Sequence, residues 1–159
     1  MPIPIDFSKL QPQDVLDIAT FIEHEAQQRY DLYADHLERE GDPRAAEFFR
    51  FMATLERAHG AQLGARRLKR FADLPKRVRD VVEWDVEGPP LDRRVSRLSF
   101  TTALEMAIAS EERARDFFAA ALEQPVGDGL QAVLAELHRD EQGHIALLRD
   151  QIATLKTPR

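Results

Sequence analysis

Leu137-His138-Arg139-Asp140-Glu141-Gln142-Gly143-His144 is the stretch from which the fold of this 159-residue chain is read. Glu141 is followed three residues later by His144. On a helix, residues three apart share a face, so a carboxylate and an imidazole converge on one point. One helix then offers two donors of the kinds that ligate metal ions. A single Glu-x-x-His is a weak signal, because chance pairs arise in any helical protein. A second copy, Glu56-Arg57-Ala58-His59, changes the weight of the first.

Both copies interrupt apolar stripes of helical period. Around Glu141 the stripe reads Leu130, Leu134, Leu137, Glu141, His144, Leu148; around Glu56 it reads Ala45, Phe49, Met52, Glu56, His59, Leu63. Steps of three and four residues predict amphipathic helices, the latter starting at Pro43 and reaching Lys69 or Arg70. Each is preceded by another such stripe. Leu16, Ala19, Glu23, Ala26, Tyr30, Tyr33 and Leu37 predict a helix from Gln13 or Asp14 to Glu40, with Glu23 where a leucine is expected. Leu104, Ala107, Glu111, Ala114, Phe118 and Ala121 predict a third, with Thr102-Ala103-Leu104-Glu105 as its capping box.

Gly41-Asp42-Pro43 and Pro125-Val126-Gly127-Asp128-Gly129 supply tight turns, so the four helices form two antiparallel hairpins. Glu23 and Glu56 are roughly equidistant from the first turn, and Glu111 and Glu141 from the second. At about 1.5 Å rise per residue each pair meets at one height. The halves are an internal repeat. Between them, residues 71–98 lose all periodicity, and Pro89-Pro90 forbids a continuous helix, although 74–85 has the composition for a short one. A segment this long reads as the crossover that starts the third helix parallel to the second. The fold expected is an all-α four-helix bundle, one domain over residues 1–159.

Composition agrees. Hydrophobic residues make up 43% and charged residues 31%, with 7 Gly and 9 Pro, and the net charge is -6. An acidic chain of this kind is not a general nucleic-acid binder. Having no Cys excludes disulfides and thiolate-ligated metal sites. The start, Met1 to Asp6, lacks the features of a signal peptide, and no apolar run reaches the roughly 20 residues a membrane span needs. A cytoplasmic location without membrane partners is expected. The basic run Arg66-Arg67-Leu68-Lys69-Arg70 reads as a solvated helix end complementing the macrodipole, with DNA binding the minor reading, and His24, His36 and His138 as residues at the surface or just behind the ligands.

Four carboxylates and two imidazoles are therefore expected around one central point. Unpaired carboxylates in a bundle core cost several kcal/mol each. Two divalent cations remove that cost, since four carboxylates balance their charge and two neutral imidazoles complete the shell. Iron or manganese suits this mixture of donors, and zinc is the redox-inert occupant.

These residues resemble the rubrerythrin-like branch of the ferritin-like superfamily, from about Ile18 to Leu148. The resemblance implies two iron ions, with Glu23 and Glu111 as terminal ligands, Glu56 and Glu141 bridging, and His59 and His144 as nitrogen ligands. Tyr30 falls where that family places a tyrosine beside the ligands. The activity implied is ferroxidase, oxidase or peroxidase chemistry with O₂ or H₂O₂. Storage or trafficking of iron without turnover, or a zinc-filled structural bundle, are the alternatives. The family's Cys-ligated rubredoxin-like centre is absent, so the electron donor is expected to be external, and a homodimer or larger homo-oligomer is expected. Family members tend to carry a further Glu one turn after the third-helix ligand. Here that position is Ala114, which predicts slow turnover after a first oxidation.

Overall fold

The structure is a computed structural model that describes residues 5–78, 85–90 and 95–156. Four helices make it up, α1 (Pro12–Glu40), α2 (Pro43–Phe71), α3 (Phe100–Leu122) and α4 (Asp128–Lys156), with short 3-10 turns at Phe7–Lys9 and Val95–Arg97. No strand is found among the described residues. None of the described helices is long and apolar enough to cross a membrane. Packing is most extensive within the α1–α2 and α3–α4 hairpins, while α2–α3 and α1–α4 contacts join the hairpins into a four-helix bundle.

Local chemistry explains the helix ends. Asp42 caps α2 by accepting from the Arg44 N–H, and Pro43 stands at the first helical position. The other oxygen of the same carboxylate accepts from the Phe100 N–H at 3.1 Å. One side chain thus holds the N-termini of α2 and α3 together, which makes the two helices parallel. α3 begins earlier than its sequence suggests. Ser99 is the N-cap, accepting from the Thr102 N–H at 3.1 Å, so Thr102 lies inside the helix and the capping box expected there is not used. Residues 74–78 are not helical; the remainder of the short helix expected over 74–85 falls largely on residues 79–84, outside the described residues.

The core comes in two apolar blocks. Phe7, Leu16, Ile18, Ile22, Leu63, Phe118, Leu134 and Leu137 fill one end of the bundle. Tyr30, Tyr33, Leu37, Phe49, Met52, Leu104 and Leu148 fill the other. Between these blocks, at mid-length of every helix, lies a layer of acidic side chains. The basic run at the end of α2 is not simply solvated, because Arg67 is buried on Asp17 of α1 at 3.1 Å and Arg66 reaches Asp140 of α4 at 2.9 Å.

Candidate metal centre

Each helix contributes one glutamate to that layer. Glu23, Glu56, Glu111 and Glu141 are 2%, 0%, 2% and 3% exposed. The two histidines stand one helical turn from the α2 and α4 glutamates and are half-buried. All six residues singled out in the sequence are brought to one place, and the two halves repeat one another. His59 Nδ1 lies 3.3 Å from Glu56 Oε2 and 3.6 Å from Glu23 Oε2. His144 Nδ1 lies 3.2 Å from Glu141 Oε2 and 3.6 Å from Glu111 Oε2. The imidazole rings stack face to face, with centroids 3.6 Å apart and planes within 2°. A Cβ added to Gly60, beside His59, would stand 3.6 Å from the Glu23 Cβ, and α2 and α4 both run on without a bulge.

Charge is poorly balanced here. Burial, then the Glu141 charge, pushes the Glu23 carboxyl up to about 8. Burial followed by repulsion from Glu111 raises Glu56 well above the carboxylate range, and burial is also the main cause of a rise at Glu141. His144 is opposed by burial, but hydrogen bonds and attraction from Glu111 and Glu141 outweigh it and push the imidazole up to about 11. Protein interiors rarely leave buried polar atoms unpartnered. Yet Glu23 Oε2, Glu56 Oε1 and Glu111 Oε2 are all buried without a hydrogen bond. A pair of divalent cations would satisfy the orphaned oxygens and the excess negative charge together, so the donor set fits such a group. Two overlapping sets, Glu23–His59–His144 and Glu111–Glu141–His144, each place one donor atom per residue within 4.8 Å of the others.

Tyr30 is fully buried against this layer. Its hydroxyl meets no partner at hydrogen-bonding geometry. Burial first, then the charges of Glu56 and Glu111, raises its pKa well above the phenol value. His24, His36 and His138 are not drawn into the cluster.

A further buried carboxylate is one that periodicity had not marked. Glu87, in the crossover, is 1% exposed, and neither of its oxygens has a hydrogen-bond partner. It forms a third set with Glu23 and Glu56, again with donor atoms within 4.8 Å. Burial, then repulsion from Glu23 and Glu56, raises its pKa well above the ordinary value.

A cavity of about 70 Å³ adjoins both imidazoles between α2 and α4, with Gln62, Arg66 and Asp140 also lining it.

A four-helix bundle with one glutamate per helix and a Glu-x-x-His on α2 and α4 defines a protein of the ferritin-like carboxylate class. Within that class the chain belongs to the rubrerythrin family, whose sequence model matches residues 14–152. The fold is also similar to the crystal structure of an uncharacterised conserved protein from Magnetospirillum magnetotacticum MS-1. That likeness has 25% identity and a TM-score of 0.63, and covers 94% of this chain and 97% of the other. No curated protein sequence matches the chain.

Proposed function

We propose that this protein is a di-iron carboxylate protein in which Glu23, Glu56, His59, Glu111, Glu141 and His144 hold two iron ions that react with O₂ or H₂O₂. The observation that carries this reading is the layer of buried carboxylates with orphaned oxygens, which has no reason to persist in a bundle core unless cations sit there. The mixture of hard carboxylates and borderline imidazoles suits iron or manganese, and zinc, which also takes such donors, would support no redox chemistry. A pair of bound ferrous ions supplies the two electrons that reduce peroxide, with two protons, to water.

The chain's own residues set the conditions. Glu56 and Glu141, from opposite hairpins, would be shared between the two ions, and Glu23 and Glu111 would each serve one. Each imidazole would offer the Nδ1 that faces its own hairpin's glutamates. The apolar blocks above and below exclude bulk water. Tyr30 remains a neutral phenol beside the carboxylates, held protonated by its burial. The cavity on the histidine side is about 70 Å³, far below the several hundred Å³ of pockets that enclose organic ligands. It suits a reactant of two to four atoms. On this reading electrons for repeated turnover come from a separate donor, since the chain has no Cys with which to hold a thiolate-ligated iron centre.

One feature favours a second reading, that of an iron-binding protein without sustained turnover. Ala114, one turn past Glu111, is fully buried and apolar, so α3 supplies a single carboxylate. The test is to load metal-free protein with Fe(II) under argon, add H₂O₂, and then supply an excess of reductant. Appearance of ferric absorption followed by many cycles of peroxide consumption supports the enzyme. One cycle only supports the binder. Failure to take up iron contradicts both.

A further inference from the structure

The two halves of the centre match in their candidate ligands, a Glu, a second Glu and a His in each. Among the described residues Glu87 has no counterpart in the second half, and it reaches the centre on a segment of irregular chain rather than on a helix. We infer that Glu87 is a further metal ligand, delivered by the crossover to the ion beside Glu23 and Glu56, so that the two ions have unequal surroundings. This rests on the di-metal reading above and adds a residue to it.

The crossover is built to hold this one side chain inward. The Asp85 N–H donates to Glu25 Oε1 at 3.0 Å, and the Asp85 carboxylate accepts from Arg29 of α1 at 2.6 Å. Arg113 of α3 donates to the carbonyls of Val86 and Gly88. The Gly88 N–H donates to Ser110 Oγ, and the Tyr33 hydroxyl donates to the Pro90 carbonyl. Gly88 adopts φ +86, and a Cβ on it would stand 3.0 Å from Ala26 Cα. Residues on either side of Glu87 are thus fastened to α1 and α3, and Glu87 lies between them.

Other accounts of Glu87 fail on its surroundings. An ionised carboxylate needs a cation or several N–H donors, and none is within hydrogen-bonding reach of either oxygen among the described residues. A protonated one would still bury an O–H with no acceptor bonded to it. Like-charged Glu23 and Glu56 are its closest acidic company. Only a cation shared with those two satisfies all three carboxylates at once.

The probe is Co(II), whose visible absorption depends on the number and kind of its ligands. Metal-free wild type and Glu87→Gln, an isosteric neutral variant, are titrated with Co(II) and followed by absorption and by equilibrium dialysis. Wild type is expected to take up two ions. Glu87→Gln should retain one with unchanged affinity and weaken the other by at least about tenfold, with an altered spectrum for that ion alone. Glu87→Leu, which keeps a similar side-chain volume, should lose the same ion and guards against a folding defect peculiar to the amide. Two ions bound with wild-type affinities and spectra in both variants would overturn the role of Glu87 and leave the six-residue centre standing. Wild type that takes up no Co(II) would overturn both.

Discussion

Glu141 shows at the scale of one residue how burial and charge collide. It is 3% exposed, and burial raises its pKa while its hydrogen bond to His144 pulls the other way. Glu141→Ala removes one of the carboxylates proposed to hold both ions and is expected to abolish most metal uptake, as measured by metal analysis after dialysis. Glu141→Leu should abolish it too, and the metal-free form should gain no stability from the added packing, because His144 loses one of its two carboxylate partners. Denaturant titration of the two metal-free proteins checks the second half. Glu23 and His144 give a pH dependence. Both bind their proton more tightly folded than unfolded, with Glu23 moving from 4.5 to about 8 and His144 from 6.5 to about 11. Such groups stabilise fully below their unfolded values and lose that contribution as pH climbs through the folded ones. The metal-free protein should therefore melt at falling temperature as pH rises from about 5 to 8. Metal-loaded protein should not follow it, because the ions have displaced those protons. A metal-free melting temperature that rises over this interval would contradict the assignment.

At the scale of elements, the crossover carries the least regular sequence and the most consequential geometry. Gly88→Ala places a side chain at φ +86 with its Cβ 3.0 Å from Ala26 Cα and 3.2 Å from Arg29 Cδ. Strain of this kind costs about 1–3 kcal/mol. A lower melting temperature is expected, and weaker binding of one ion, because the strap that presents Glu87 is displaced. Unchanged stability would show that the strap is not held as described. The helices themselves were legible from the sequence, since each apolar stripe fell on buried positions and each misplaced glutamate in a stripe fell on the central layer. The start of α3 was less so, because Ser99 and Thr102 are both good caps and only the docking of Phe100 onto Asp42 chooses between them. Arg67 looked like one more solvated base, and tertiary packing on Asp17 decided otherwise. Glu87 was not legible at all. It has no periodic neighbours, and an acidic residue before Gly-Pro-Pro reads as an exposed turn; only the folded path of the chain brings it inside.

At the scale of the molecule, the bundle is two repeated hairpins whose packing is richer within each than between them. Two ions drawing ligands from all four helices would be the strongest tie across that seam. Ligands that bind only the folded state stabilise it by mass action, about 4 kcal/mol at a thousand times the dissociation constant. For a chain of this length each kcal/mol moves the midpoint by roughly 2–4 °C. Chelation should then lower the melting temperature by about 10 °C, and re-addition of metal should restore it. The most direct test is an anaerobic titration of metal-free protein with Fe(II), followed by the melting temperature at each point. Uptake that saturates at two irons per chain, with the midpoint rising in step, is the predicted result. No saturable uptake, with one melting temperature throughout, would contradict the central claim that the buried carboxylates exist to hold a pair of iron ions.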